Sequence, residues 1–318
     1  MGSKTSNWFI RLRAALALAI AASIFSSPAA AAQLKPETLQ AFDRYVQASE
    51  SKMAAEDFGG GQFLYVQGLP ADRRAAALER LKLGEVVIEK LETSENGKSI
   101  TAPGGMIHDW IGTVFISGVT LQETLSLEED YDRHQEIFQP EVMRSKILRR
   151  NGGDFSVYFR LRKKKIITTI LDTDHEVQYH VIDATHAESR SRTTRIQEVE
   201  NAGQANESLK PVGYDNGFLW RMNTYWRFEQ KDGGIYVECR SISLTRDIPT
   251  GLGWMIGPFV TSIPRESLTF MLGTTRTALV KRAAARSGTA SVAPASLPAS
   301  CDPDCRQGHQ SSAERNVK

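Results

Sequence analysis

The chain is poor in the residue types from which cross-links and metal centres are built. Its 318 residues include three cysteines and six histidines. Cys239 lies in a predicted strand and Cys301 and Cys305 in a polar tail, so no disulfide framework is predicted, and a chain this long can build a core without one. No H-E-x-x-H spacing, G-x-S-x-G elbow or cysteine–histidine pairing is present. We therefore predict no metal site, no cofactor and no catalytic residue.

The chain also lacks an excess of charge of either sign. Its 39 basic and 37 acidic residues give a formal net charge of +2, and the first 32 residues contain three of the basic residues and no acidic one. Removing that segment leaves 36 basic against 37 acidic residues, a net charge of −1. A near-neutral chain has no general attraction to nucleic acid, so a nucleic-acid partner is not expected.

Long hydrophobic runs are missing as well, except for one near the N-terminus. The stretch from Ala14 to Phe25 is apolar, follows three basic residues and is too short to span a bilayer. A run of alanines then provides an A-x-A cleavage site before Gln33. The pattern predicts a signal peptide over residues 1–32 and a secreted or periplasmic protein. A short membrane anchor is the alternative.

The most informative feature that is present is a pair of strands between Gly217 and Leu244, joined by a tight turn. Large apolar side chains share one parity in the first strand, while polar and charged side chains occupy the other. Because strand side chains alternate between faces, this predicts a broad apolar wall with a polar reverse. The wall consists of Phe218, Trp220, Met222, Trp226 and Phe228. A helix beginning near Ile263 is the candidate that could cover it.

The order of the predicted elements indicates an α+β fold. Two helices and a short strand come first, followed by a strand, a helical region, a run of antiparallel strands and a long C-terminal helix. The helical region opens with a capping box formed by Thr120 and Glu123. Helices would pack on one side of a curved antiparallel sheet. We divide the chain into the signal peptide (1–32), an N-terminal helical extension with a short strand (33–105), a sheet-and-helix domain (106–285) and a disordered tail (286–318).

Specific residues within this order resemble a known superfamily. Asp130-Tyr131-Asp132, then Pro140-Glu141-Val142, a strand meander and a C-terminal helix together resemble the START-like, or SRPBCC, superfamily over residues 106–284. Stretches in the hairpin and before the last helix resemble a secreted bacterial branch of it. The resemblance implies a helix-grip fold, in which a curved sheet wraps around the C-terminal helix and leaves a deep cavity. It also implies a lipid or another hydrophobic molecule as partner. The superfamily has no universal catalytic motif, so no residue role is carried over.

The expected cavity would lie between the apolar wall and the C-terminal helix. We predict that it is lined by Trp220, Met222, Trp226, Phe228, Glu238, Arg240, His180, Leu268 and Leu272. A fully packed core is the alternative for the aromatic wall. The placement of Glu238 and Arg240 depends on the turn. A three-residue loop puts them on the inner face as a pair, whereas a two-residue turn puts Val237 and Cys239 there.

The segment 247–261 is too apolar for an ordinary surface loop. It contains Leu252, Trp254, Met255, Ile256 and Phe259. Since it joins the last strand to the closing helix, it would lie at the cavity mouth. We predict a gate, or a patch that makes peripheral contact with a membrane. A loop folded down as a core plug is the alternative.

Several polar features have weaker interpretations. Arg190 and Arg192 alternate on a strand poor in apolar residues, which favours an edge strand. The basic run 162–165 is expected at a hairpin tip, with contact to an acidic head group as the alternative. His134 is expected to be exposed, and the segment 172–175 is expected at a turn between strands.

These patterns favour an exported binding protein for a hydrophobic small molecule or lipid. One alternative is a cavity enzyme of polyketide cyclase or hydrolase type, which would use His180, Glu238 or Arg240. Another is a cell-envelope protein with a filled core that binds a partner through Trp254 and Phe259. The oligomeric state does not follow from the sequence.

Overall fold

The computed structural model describes residues 32–59, 62–165, 167–248 and 253–290 of the chain. The predicted signal peptide, but for Ala32, and most of the predicted tail lie outside these residues. Five α-helices are described: α1 (Pro36–Gly59), α2 (Ala71–Lys82), α3 (Leu121–Glu128), α4 (His134–Ile137) and α5 (Gly253–Ala290). Two 3₁₀ helices cover Tyr65–Gly68 and Tyr131–Arg133. None of the described helices is long and apolar enough to cross a membrane.

One large antiparallel sheet organises the molecule. Its main strands are β1 (Val87–Lys90), β2 (Gly105–Ser117), β3 (Val142–Asn151), β4 (Asp154–Lys164), β5 (Thr168–Val181), β6 (His186–Glu200), β7 (Arg221–Lys231) and β8 (Gly234–Arg246). Their order in the sheet is β1-β2-β8-β7-β6-β5-β4-β3, and a ninth, two-residue strand, Ser208–Leu209, pairs with β6. Two small strand pairs lie apart, Ala32–Gln33 with Tyr214–Asp215 and Ser94–Glu95 with Lys98–Ser99.

The inner face of this sheet packs against the C-terminal helix α5 and against α3, which lies between β2 and β3 in sequence. Leu268, Leu272 and Leu279 of α5 are buried against Val114 of β2 and Val237 of β8. The capping box predicted at the start of α3 is present, because the Thr120 hydroxyl accepts a hydrogen bond from the backbone N–H of Glu123. A sheet that holds one long C-terminal helix on its inner face is the α+β helix-grip arrangement, so the predicted fold class is confirmed.

The outer face of the sheet is covered over half of its width. The N-terminal helix α1 packs on it through Phe42 and Tyr45, which are buried with Tyr225 of β7 and Ile242 of β8. The first 3₁₀ helix and α2 bury a second cluster against Phe115 and neighbouring residues. The N-terminal extension therefore covers the outer faces of β2, β7 and β8.

Two expectations about the strands are wrong. The segment 172–175 is not a turn, because β5 runs unbroken from Thr168 to Val181. Asp172 and Asp174 on its outer face pair with Arg160 and Arg195, so these acidic residues are accommodated by charge pairing within the sheet. The strand that contains Arg190 and Arg192 is not at an edge, because β6 lies between β5 and β7.

The segment 247–261 is also not a loop over its whole length. The helix α5 begins at Gly253, about ten residues earlier than the sequence predicted, and includes two prolines in its first half. The backbone of Trp254, Met255, Ile256 and Phe259 is therefore helical. Leu252 lies outside the described residues, as do the side chains of the other four. Their predicted role as a gate or membrane contact stays a prediction.

Candidate functional site

The turn between β7 and β8 decides which side chains face the helix α5. It consists of Asp232 and Gly233, both with positive φ (55° and 72°), as a two-residue hairpin turn of type I′ requires. Trp226 consequently lies opposite Cys239, and Phe228 opposite Val237. Directly opposed residues share a face, so Val237 and Cys239 are the inner residues.

The predicted placement of Glu238 and Arg240 on the inner face is therefore wrong. Both side chains point to the outer face and are buried there beneath the N-terminal extension. They do not pair with each other. The carboxylate of Glu238 is bonded to the first 3₁₀ helix, and the guanidinium of Arg240 is bonded to Asp109. The alternative, a two-residue turn that places Val237 and Cys239 inside, is the arrangement that the structure contains.

The aromatic wall divides into three environments. Phe228 is completely buried, and Trp226 stacks on it at a ring-centroid distance of 6.1 Å while remaining half-buried. Met222 is also half-buried. Trp220 precedes the strand and lies in the outer cluster beneath α1, where its Nε1 donates to Asp215 at 2.9 Å. Phe218 is exposed. Trp220 therefore does not line the inner face.

Leu268 and Leu272 do face the sheet, and they meet it closely. Both are buried, and Gly112 of β2 lies directly beneath them. A Cβ atom at position 112 would lie only 2.7 Å from Leu272 Cδ1. The described part of the interface between α5 and β2 is thus a packed core, as the alternative interpretation of the wall proposed.

The inner-face histidine is a different one from that predicted. His180 lies on the outer face, is largely exposed and approaches Glu188 at 3.8 Å. His175 points inward instead and lies 2.9 Å from the Thr173 hydroxyl. His134 is buried rather than exposed, and it donates to the carbonyl of Leu127 at 3.3 Å. Burial lowers the pKa of both inner histidines to about 4, so both are neutral near pH 7.

A buried acid on the inner side was not predicted from the sequence. Glu128, the last residue of α3, accepts a hydrogen bond from the Thr275 hydroxyl of α5 at 3.1 Å. Burial raises the pKa of this carboxyl group to about 7. Next to it, the hydroxyls of Tyr131 and Tyr179 share a hydrogen bond of 2.9 Å. A single glutamate at a helix end gives no sequence signal of this kind, because its burial depends on the docking of α5.

On the outer face, Glu238 fastens the first 3₁₀ helix to the sheet. The backbone N–H of Tyr65 donates to both carboxylate oxygens, at 3.1 and 3.0 Å, and the Thr113 hydroxyl donates at 3.0 Å. Despite these bonds, burial raises the pKa of Glu238 to about 7. A buried acid that titrates close to neutrality makes this joint sensitive to pH.

The neighbouring Arg240 forms a buried ion pair. Its Nε and Nη2 donate to the two carboxylate oxygens of Asp109 at 2.9 and 2.6 Å. The hydroxyl of Tyr45 from α1 donates to the same carboxylate at 2.9 Å. The side chain of Arg240 also donates to the Thr93 hydroxyl at 3.2 Å. All charged groups of this cluster are thus hydrogen-bonded, as a buried pair requires.

A small pocket of about 70 Å³ opens beside these two side chains. Most of its lining residues are polar, and the apolar ones are Met53, Leu91 and Ile111. This volume has room for a few water molecules and is too small for a lipid. A larger, shallow depression of about 350 Å³ lies between α3 and the C-terminal half of α5.

The predicted site residues thus fall into separate groups. Trp226, Met222 and Phe228 share the inner face with Leu268 and Leu272. Trp220, Glu238 and Arg240 lie on the outer face beneath the N-terminal extension, and His180 lies exposed near the far end of β5. The three residues of the enzyme interpretation therefore do not converge on one cavity.

Comparison with known proteins gives similarity of fold alone. No protein-family model matches this chain, and no curated protein matches it. A STAR-related lipid transfer protein from Xanthomonas axonopodis aligns over 60% of this chain and 98% of its own, with 14% identity and a TM-score of 0.38. The Zhui aromatase/cyclase from Streptomyces sp. R1128 aligns over 57% and 96%, with 13% identity and a TM-score of 0.37. Human STARD10 aligns over 68% and 82%, with 9% identity and a TM-score of 0.36. These values are too low to transfer any property of those proteins to this chain.

Proposed function

We propose that this chain binds a hydrophobic small molecule or lipid between the inner face of the sheet and the helix α5. The supporting observation is a contrast along that face. Around Phe228 the face is completely buried, whereas Trp226 and Met222, nearer to the start of α5, stay half-buried among the described residues. Large apolar side chains that remain partly uncovered inside a groove are typical of a hydrophobic binding site.

A polar group at the same place supports an amphipathic ligand. Ser189 of β6 lies opposite Trp226, and its hydroxyl is buried without a hydrogen-bond partner among the described residues. Leaving a buried hydroxyl unpaired costs about 1–3 kcal/mol. A ligand with a hydroxyl or carboxyl group that reaches Ser189 would recover part of this cost, while its apolar part would cover Trp226.

Replacement of Trp226 by alanine tests this function. We expect W226A to lose most of its binding of a fluorescent fatty-acid probe, because it removes the largest uncovered apolar surface of the groove. The free energy of unfolding should fall by clearly less than the roughly 3–5 kcal/mol that truncation of a fully buried aromatic residue costs. Probe titration and urea denaturation measure the two effects.

The matched control is F228A, which removes the completely buried neighbour. It should show the full loss of stability. Native mass spectrometry of the purified wild-type protein, with extraction of bound lipid, identifies what co-purifies. A wild-type protein that takes up neither probe nor lipid, or a W226A variant that binds as well as wild type, would contradict the proposal.

We also propose that the protein is exported after removal of residues 1–32. The support is the sequence pattern of a short apolar stretch and an alanine-rich cleavage site. N-terminal sequencing of the protein recovered from the periplasm or medium of producing cells should give Gln33 as the first residue. An uncleaved chain retained in the cytoplasm would argue against export.

A further inference from the structure

The outer face of the sheet is left open where the N-terminal extension ends. The extension covers β2, β7 and β8. Among the described residues no helix covers the outer faces of β3, β4, β5 and β6, and only the segment after β6 reaches over them, where Glu207 pairs with Arg160. Residues 190 and 192 of β6 lie opposite Tyr225 and Asn223 of β7, which marks them as outer. The pairing of β6 with β5, β5 with β4 and β4 with β3 then identifies every other outer residue.

The side chains on this open face are predominantly cationic, and we call the face the basic platform. Its nine cations outnumber its five carboxylates. The cations are Arg144, Lys146, Arg149, Arg160, Arg162, Lys164, Arg190, Arg192 and Arg195. The carboxylates are Asp154, Asp172, Asp174, Glu176 and Glu188. This excess belongs to one surface of a chain whose total charge is close to zero.

Three cations of the platform are neutralised within it. Arg149 pairs with Glu176 at 3.1 Å, Arg160 with Asp172 at 2.7 Å and Arg195 with Asp174 at 2.6 Å. The remaining six have no ion-pair partner among the described residues: Arg144, Lys146, Arg162, Lys164, Arg190 and Arg192. Adjacent strands lie about 4.8 Å apart, so these charges spread over a surface roughly 15 Å wide. The Debye length is about 8 Å at physiological ionic strength, so the fields of neighbouring cations on this surface overlap, whereas those at its opposite sides are largely screened from each other.

Exposed aliphatic side chains border the platform. The edge strand β3 has two irregularities in its pairing with β4, and the residues passed over there are Met143 and Leu148. Their side chains are 41% and 53% exposed. Ile167, in the turn after β4, is 49% exposed. Cations surrounding a few exposed aliphatic side chains combine attraction to negative charge with shallow insertion into an apolar layer.

We propose that the basic platform, bordered by Met143 and Leu148, docks this protein on the surface of an anionic lipid bilayer. The six unpaired cations complement lipid phosphates, and the aliphatic residues at the edge reach the acyl boundary. A single-stranded nucleic acid fits less well, because stacking of successive bases needs several free aromatic rings and the only largely exposed ring among the described residues of the platform is that of His180. The ring of Tyr158 is half-buried, and its hydroxyl donates to Asp172 at 2.8 Å.

Vesicle binding tests the docking. The purified protein is mixed with vesicles of phosphatidylcholine alone, or of phosphatidylcholine with phosphatidylglycerol, and sedimented. We expect binding only to the anionic vesicles, with an affinity that falls as salt is added. The quadruple variant R144Q/K146Q/R190Q/R192Q should bind these vesicles at least about tenfold more weakly, because each cation near an anionic surface contributes to the attraction.

A matched variant controls for total charge. K82Q/K90Q/K98Q/K281Q likewise removes four positive charges, those of four exposed lysines outside the platform, and should bind as wild type does. A second variant, M143S/L148S, should bind normally at low salt and lose the binding that remains at high salt. Equal binding to neutral vesicles, equal loss in the matched variant, or tighter binding to single-stranded DNA than to anionic vesicles would each overturn the proposal.

Discussion

At the scale of single residues, the buried groups that titrate near neutral pH are two glutamates and not the inner histidines. Glu238 and Glu128 both have a pKa raised to about 7 by burial, one on each side of the sheet. The inner histidines, in contrast, are held neutral. Since Glu238 bonds to the backbone of Tyr65, its ionisation acts directly on the joint between the N-terminal extension and the sheet.

The pKa of Glu238 predicts a specific pH dependence of stability. In the unfolded chain the carboxyl ionises near pH 4.5, whereas in the folded protein it holds its proton up to about pH 7. The folded state therefore binds the additional proton between these values. Protonation of Glu238 therefore adds to the free energy of unfolding. This stabilisation is fully present below pH 4.5 and is lost as the pH rises to 7, at up to about 1.4 kcal/mol per pH unit.

The variant E238Q isolates this effect, because it keeps the shape of the side chain and removes its titration. We expect the free energy of unfolding of wild type, minus that of E238Q, to decrease as the pH rises from 5 to 7. Urea denaturation at several pH values measures the difference, in which the opposite contribution of the buried histidines cancels. A difference that stays constant with pH would show that Glu238 titrates normally in the folded protein.

The sequence allowed the inner side chains of β7 to be predicted, but not the faces on which Glu238, Arg240 and His180 lie. The alternation of large and polar side chains in β7 was correct for Trp226, Met222 and Phe228. Whether Glu238 or Cys239 faced inward depended on one residue in the turn, and parity alone does not decide that. Parity also misplaced His180. The sequence analysis placed a turn at residues 172–175, whereas β5 runs through them, and the histidine of β5 that faces inward is His175.

At the scale of elements, the contact between α5 and β2 depends on the absence of a side chain. Gly112 allows Leu272 and Leu268 to approach the sheet, and Ile88 of β1 closes the same space from the side. Glycine within a strand weakens it intrinsically, so its presence here is explained by the close approach of the helix.

Replacement of Gly112 by alanine should therefore force α5 away from the sheet. We expect G112A to lower the free energy of unfolding by about 1–3 kcal/mol, the usual cost of overpacking a core. The double variant G112A/L272A should lose less than the sum of the two single variants, because removal of the leucine side chain makes room for the new methyl group. Denaturant unfolding of the four proteins measures this coupling.

Gly273, one position further along α5, is the control for that experiment. No atom lies within 4 Å of a Cβ built there, so G273A should leave the stability unchanged or raise it by up to about 1 kcal/mol through helix propensity. Additive losses in G112A/L272A, or a loss in G273A as large as in G112A, would contradict close packing of the helix on this strand.

The same helix shows how far element prediction reached. Leu268 and Leu272, which were predicted to face the sheet, are both buried against it. The start of the helix was placed about ten residues too late, because Gly253, Gly257 and two prolines are typical of loops. A helix can accept proline where tertiary packing compensates for the lost hydrogen bond, and a single sequence does not reveal that compensation.

At the scale of the whole molecule, helices pack on both faces of one half of the sheet and on a single face of the other half. Among the described residues, helices pack on both faces of β2, β7 and β8, whereas on β3, β4, β5 and β6 they pack only on the inner face. The sequence predicted helices in the N-terminal extension but not that they would complete the core of the sheet, since amphipathic spacing shows that a helix is buried without showing what covers it.

This asymmetry predicts a gradient of local stability. Backbone amides of β8 should exchange with solvent hydrogen most slowly, through global unfolding alone, while those of β3 and β4 should exchange through smaller openings. Native-state hydrogen exchange with mass spectrometry, at increasing low concentrations of denaturant, resolves the two groups. Protection of β4 equal to that of β8 would indicate that the sheet opens as one unit.

The turn formed by Asp232 and Gly233 has a consequence for how the length of this chain can vary. Turns at the surface usually tolerate an inserted residue, and many change length freely between related proteins. One inserted residue here would exchange the inner and outer faces of β8. Glu238 and Arg240 would enter the apolar core beneath α5, and Val237 and Cys239 would lie beneath the N-terminal extension. We therefore expect this exposed dipeptide to be as constrained in length as any buried segment of the protein.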